Sequence, residues 1–183
     1  MKGIIFIALN EVIEDNFGLT VWDEVLQEVQ PESEGIYISA ESYSDQELFA
    51  LVGALSTKLA IPVPTLIATF GEALFPKLAH KFPVFLEKQP SLKHFLMTIH
   101  DVIHVEVKKL FTEPNLPTIE YIDPGNDGLT MIYRSKRKLC HLSEGLIKGA
   151  ANEFKTSVSI VQPLCMHEGA DHCQLDITFN TSN

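Results

Sequence analysis

The residues best equipped for chemistry in this chain are one histidine and, further along, a short alternating motif. His104 lies in Ile99-His100-Asp101-Val102-Ile103-His104-Val105-Glu106-Val107, and the motif reads Tyr133-Arg134-Ser135-Lys136-Arg137. An imidazole binds iron through one ring nitrogen. On a strand alternate residues share a face, so Tyr133, Ser135 and Arg137 are expected to point the same way, about 7 Å apart at each step. Together they offer hydroxyl and guanidinium donors for a pair of carboxylates, and Arg137 can hold one through two parallel bonds. Haem has such a pair in its propionates. The plainer alternatives are a core histidine and a basic edge strand, a description that Arg134 and Lys136 fit.

A second constellation is made of cysteines. Cys165 and Cys173 lie symmetrically about Gly169, so a hairpin centred there sets them opposite one another, and Cys140 opens a nearby helix. Three thiols suit a zinc ion, a thiol pair that senses oxidation, or three small core residues.

The elements that must position these groups are legible from periodicity. Ile4, Ile5, Ala8, Leu9 and Val12 recur at helical spacing in a first helix. Thr20 is expected to cap a second through Val29, and Ser44 a third carrying Leu48, Leu51, Val52 and Leu55. A fourth starts near Pro64, with Pro76 expected to bend or shorten it. The segment from Ser91 to Leu110 is the longest candidate, with His104 inside its apolar stripe and Pro114 and Pro117 closing it. Two strands, Ile119–Ile122 and Leu129–Tyr133, flank the turn-rich Asp123–Gly128; a helix from about Leu139 to Phe154 and a hairpin, Val158–Cys165 with His172–Phe179, complete the chain. The expected class is α+β, helices first and then a small antiparallel sheet of about four strands with one inserted helix.

Composition narrows the role. The 183 residues, 45% of them hydrophobic, suit one domain over 1–183, with a helical subdomain over about 1–60 and a ligand-and-sheet subdomain over about 61–183. A net charge of −10 repels phosphate backbones and anionic headgroups, so neither nucleic acid nor membrane is an expected partner. The apolar start runs directly into Asn10, Glu11, Glu14 and Asp15 with no cleavage site, which argues against export. Three cysteines cannot all pair within one chain, and a reducing cytoplasm is the expected location.

In this order and spacing the residues resemble the haem nitric oxide/oxygen binding (H-NOX) domains, in particular bacterial stand-alone members, relatives of the sensor domain of soluble guanylate cyclase. The resemblance runs from Met1 to about Phe179. Tyr133, Ser135 and Arg137 match the family's Tyr-x-Ser-x-Arg signature, and His104 stands where its haem ligand is expected. The opening Met1-Lys2-Gly3-Ile4-Ile5, Pro117, and Glu144-Gly145-Leu146 match as well. The resemblance implies haem b buried between the two parts, with iron on His104, propionates on the signature and Pro117 against the macrocycle. It places Ile5, Leu9, Leu74, Leu78, Leu142 and Leu146 around the gas pocket, with Leu142 where oxygen-binding relatives have a tyrosine. None of these carries a donor, so nitric oxide and carbon monoxide are the expected ligands and dioxygen is not. Release of His104 on nitric oxide binding then signals to a separate histidine kinase or cyclic-di-GMP enzyme. Some relatives also hold structural zinc with three cysteines matching Cys140, Cys165 and Cys173, plus a histidine where this chain has Gln162. Enzymatic activity is not expected, because a haem peroxidase needs an acid–base group where only aliphatics are found. The alternatives are a zinc-stabilised module for another small apolar ligand, which needs neither His104 nor Arg137, and a thiol redox sensor of the same fold.

Overall fold

The computed structural model describes residues 1–110, 115–125 and 127–180, so Pro114 and Asn126 lie outside the described residues. Four helices come first: α1 (Gly3–Phe17), α2 (Leu19–Val29), α3 (Asp45–Leu59) and α4 (Val63–Lys81). A 3₁₀ turn at Pro83–Phe85 leads to α5 (Leu92–Thr98), which passes through a π-helical segment (Ile99–Ile103) into α6 (His104–Leu110). The strands β1 (Thr118–Ile122) and β2 (Gly128–Arg134) precede α7 (Cys140–Glu153), and the hairpin β3 (Ser157–Leu164) and β4 (Cys173–Asn180) comes after it. The sheet is antiparallel in the order β1-β2-β4-β3, and the fold is α+β.

Local chemistry explains most of these boundaries. Ser44 caps α3 by accepting from the Gln46 N–H, and Ser91 caps α5 through the His94 N–H. At α2 the cap position falls to Gly18, at φ 90°, and Thr20 is inside the helix. That conformation suits glycine, and it joins α1 to α2 with a single intervening residue. The buried face of α1 is rotated from expectation: Phe6 and Ile13 are fully buried with Ala8, Leu9 and Val12, while Ile4 and Ile5 are half-buried. α4 continues past Pro76 to Lys81 and is not shortened there.

Two hydrophobic clusters divide the interior. One joins Phe6, Leu9, Ile13, Leu51, Leu55 and Leu74; the other joins Phe95, Leu96, Met131, Leu175 and Ile177 with Phe75. The division falls within α4, between Leu74 and Phe75. α4 and α7 are the most intimately packed pair of helices, and glycines let their backbones approach. A Cβ on Gly71 would lie 2.6 Å from Leu142 O, and one on Gly149 would lie 2.6 Å from Glu72 O. Gly145 faces the Ala68 carbonyl just as tightly. Among the described residues no single helix is long and apolar enough to cross a membrane.

Candidate functional site

Between the two clusters lies a cavity of about 320 Å³, a volume in the range of small-ligand and cofactor sites. α4 and α7 line it with Phe75, Leu78, Leu142 and Leu146, and the π-segment and α6 add Ile99, Ile103, His104 and Val107. Pro117, Met131 and Tyr133 close the sheet side, and Ser135 and Arg137 stand at the rim with Asn115. Its walls are mainly hydrocarbon, with a few polar groups placed among them.

His104 is the first of these. Its Nδ1 is buried and has no hydrogen-bond partner, an arrangement that costs roughly 1–3 kcal/mol unless something else takes the lone pair. Burial, reinforced by His100 and Lys108, pulls its pKa down to about 4, so at neutral pH the imidazole is uncharged and able to ligate. The π-segment just before it inserts one residue into the helical turn, which changes where the next residue points. His100 ties this segment to the sheet. Its N–H donates to Tyr121 Oη and its Nδ1 accepts from the Ile119 N–H, each at 3.3 Å.

The signature meets the cavity by a different geometry from the one expected. β2 ends at Arg134, and Ser135 to Lys138 form a turn in which the Lys138 N–H donates to Ser135 O at 3.1 Å. Lys138 is left-handed at φ 50°. The three side chains therefore converge by turn geometry, and strand alternation does not account for it. Tyr133 is buried; its Oη accepts from the Leu139 N–H at 3.2 Å, and its pKa is raised chiefly by burial. Arg137 already holds a carboxylate through two bonds, that of Asp45, with Nε to Oδ2 at 2.6 Å and Nη2 to Oδ1 at 2.7 Å. It also donates to Asn115 O. Asp45 further accepts from the Met1 ammonium at 2.7 Å. Burial alone would raise the Asp45 carboxyl, but Arg137 and the ammonium outweigh it and hold the pKa below the usual value.

Beyond this turn the three cysteines come together. The sulfurs of Cys140, Cys165 and Cys173 lie within 4.8 Å of one another, and all three residues are buried. Burial pushes the Cys140 thiol up to about 12 and raises Cys173 as well. Gln162 Nε2 is buried without a well-formed hydrogen bond, and its amide faces Cys140.

Comparison with known proteins decides the family. Residues 2–162 match the haem-NO-binding family. The chain belongs to the H-NOX family. An H-NOX protein from S. oneidensis in its Fe(II)NO state is 39% identical and superposes with a TM-score of 0.93, covering 99% of this chain and 100% of that one. The Fe(II)CO state of the Shewanella oneidensis domain gives 39% and 0.90, with both chains fully covered. An Fe(II) unliganded H-NOX protein from K. algicida gives 31% and 0.92, covering 100% of this chain and 98% of that one.

H-NOX domains are haem-based gas sensors, and the residues of this chain fit haem: a half-buried imidazole on the cavity wall whose Nδ1 has no partner, a hydrocarbon cavity, and cationic and hydroxyl donors lining it. Pro117, Leu78, Leu142 and Leu146 line that cavity, whereas Ile5, Leu9 and Leu74 pack in the N-terminal helical cluster. Leu78, Leu142 and Leu146 also touch that cluster, so they bridge the two. Asp45 and Ser143 were not legible as site residues. Asp45 reads in sequence only as a first-turn acid after a cap, and its partner is 92 positions away. Ser143, on the wall beside Leu142, is hidden by its place in an amphipathic helix.

Proposed function

We propose that this H-NOX chain is a cytoplasmic, non-catalytic sensor that takes nitric oxide and carbon monoxide at ferrous haem b, discriminates against dioxygen and signals to a separate protein. The observation that carries the proposal is His104 on the wall of a mainly hydrocarbon cavity, with its Nδ1 buried and without a hydrogen-bond partner. Haem, when bound, would supply an iron that accepts an imidazole nitrogen and a diatomic gas, with His104 the residue to hold it.

The chain's own residues hold the group and tune its gas choice. Neutral His104 offers its lone pair without first losing a proton. Arg137, Ser135 and Tyr133 meet the propionates, so Arg137 is shared between a propionate and Asp45. Pro117 lines the cavity wall, where it would pack against the bound group. Leu78, Leu142 and Leu146 bring no donor toward the gas. Bound dioxygen draws negative charge and gains about 1.5–3 kcal/mol from a hydrogen bond to it, roughly 10- to 150-fold in affinity. Nitric oxide and carbon monoxide need no such bond.

Were His104 released from the group on nitric oxide binding, the helix carrying it would lose a tether. The imidazole then sits at the end of a π-segment held to β1 by two 3.3 Å bonds through His100. Movement of α6 changes the surface that Met97, Val102 and Val105 expose. A partner that binds the two surfaces unequally completes the signal; in line with stand-alone relatives, that partner is a histidine kinase or a cyclic-di-GMP enzyme. Cys140, Cys165 and Cys173 hold a structural zinc that braces the turn between Tyr133 and α7. The chain acts as one domain, with a helical part over about 1–60 and a ligand-and-sheet part over about 61–183.

The reduced, haem-loaded protein equilibrated with air tests gas choice. An unchanged ferrous spectrum that shifts on adding nitric oxide is expected. A stable oxygen adduct contradicts the proposal, and loss of that adduct in Ser143→Ala would name the donor.

A further inference from the structure

The cysteine cluster lacks an obvious fourth ligand, because the neutral amide of Gln162 is a poor match for zinc. The geometry around the cluster offers another. Tetrahedral zinc with bonds of about 2.3 Å to sulfur holds its thiolates about 3.8 Å apart. Cys140 Sγ and Cys165 Sγ are already 4.0 Å apart, and the third sulfur is within 4.8 Å of both. Three histidines lie nearby. His172 adjoins Cys173 on a strand and pairs with Asp171 Oδ1 at 2.6 Å. His141 also brings a ring nitrogen within 4.8 Å of Cys140 Sγ, but it comes directly after Cys140 on a helix, where adjacent side chains diverge by about 100°. His167 lies two residues after Cys165, in the 3₁₀ turn Met166–Glu168, and one of its ring nitrogens falls within 4.8 Å of Cys140 Sγ.

We infer that His167 is the fourth ligand of a zinc ion held by Cys140, Cys165 and Cys173, taking the place that Gln162 cannot fill. The inference rests on the reading of the three cysteines as a zinc site. His167 Nε2 lies 2.7 Å from Lys138 O; a carbonyl only accepts, so Nε2 carries the proton and Nδ1 keeps the lone pair. A ligating histidine is ordinarily fixed in this way, by donating its other N–H to a backbone carbonyl. The same two loops are joined a second time by Lys138 Nζ donating to Met166 O at 3.2 Å. Two donors stand ready to offset thiolate charge: the Met166 N–H meets Cys173 Sγ at 3.2 Å, and the Gln162 amide faces Cys140. Gln162 thereby becomes a donor to sulfur, and the half-buried His141 ring stacks on His167 at 5.7 Å.

The experiment loads the full, haem-containing chain with Co²⁺ in place of zinc under reducing conditions and compares the wild type with H167A, H141A and Q162A. The wild type takes one ion with intense thiolate charge-transfer bands and tetrahedral ligand-field bands. H167A loses affinity by about 100-fold or more and its ligand-field bands shift as water replaces nitrogen, while H141A and Q162A stay within about tenfold. An unshifted visible haem spectrum in H167A confirms that the exposed substitution leaves the fold intact, and Q162H placed in H167A restores tight binding. If H167A binds Co²⁺ as tightly as the wild type with the same bands, or H141A loses it instead, the His167 assignment is overturned and the cysteine site stands. If the wild type takes up neither Co²⁺ nor Zn²⁺, both fall.

Discussion

Two walls of the same cavity are built on different principles. The α4–α7 wall is locked: at Gly71, Gly145 and Gly149 backbone meets backbone with no space for a methyl group. The His104 wall is loose: a π-segment interrupts its helix, Val102 and Val105 face solvent, and two long hydrogen bonds through His100 hold it to β1. Close-packed interfaces shift only between discrete arrangements, whereas a segment with few buried contacts opens at low cost. In the proposed function this difference gives the two walls different work, a fixed gas pocket on one side and a movable ligand helix on the other.

Substitutions that reverse this contrast have graded effects. Gly145→Ala forces a Cβ against the Ala68 carbonyl and within 2.9 Å of Glu72 N, and it should cost about 3 kcal/mol in urea unfolding; a loss below about 0.5 kcal/mol would mean that the wall is not locked. Leu142→Tyr adds a phenol to that fixed wall and should raise oxygen affinity by roughly 10- to 150-fold, about 1.5–3 kcal/mol. No gain in oxygen binding would show that Leu142 does not face the gas.

The Asp45–Arg137 pair joins the helical part to the signature turn, and its effect depends on pH. Because the folded carboxyl has a lowered pKa, its stabilisation is present above the unfolded value of about 3.9 and is lost as pH falls through the lower folded value. Asp45→Asn should therefore cost roughly 1 kcal/mol at pH 7, and the gap from wild type should close in acid; a gap that is constant with pH would rule the pair out as its cause. The smallest effect belongs to the loose wall: Val105→Ser, on an exposed face, should change stability by less than about 0.5 kcal/mol, yet weaken binding of the signalling partner. Unaltered partner binding would remove that face from the output surface.

The fold was legible wherever one period dominated. The Ser44 and Ser91 caps, the apolar stripe of α3 and the β3–β4 hairpin arise from local sequence; His104 and Cys173 fall in the expected helix and strand, while Cys165 lies one residue past the end of β3. Features set by tertiary geometry were not. Nothing in Ile99–Ile103 announces a π-turn, and alternation through Tyr133-x-Ser135-x-Arg137 mimics a strand that in fact stops at Arg134. Asp45 is invisible as a site residue because its meaning comes from a guanidinium far away in the chain. The rotated face of α1 has a similar cause: Phe6 is drawn inward by stacking on Tyr37 at 4.4 Å, a contact no helical period encodes.

The central claim is that His104 holds the iron and lets go when nitric oxide binds. The most direct measurement is the absorption spectrum of the reduced, haem-loaded chain before and after nitric oxide, beside His104→Gly with and without added imidazole. The account predicts a five-coordinate ferrous spectrum that His104→Gly loses and imidazole restores, and a nitric oxide spectrum that is the same in both proteins because neither retains the imidazole. A ferrous spectrum unaffected by His104→Gly, or a nitric oxide spectrum that differs between the two proteins, would contradict it.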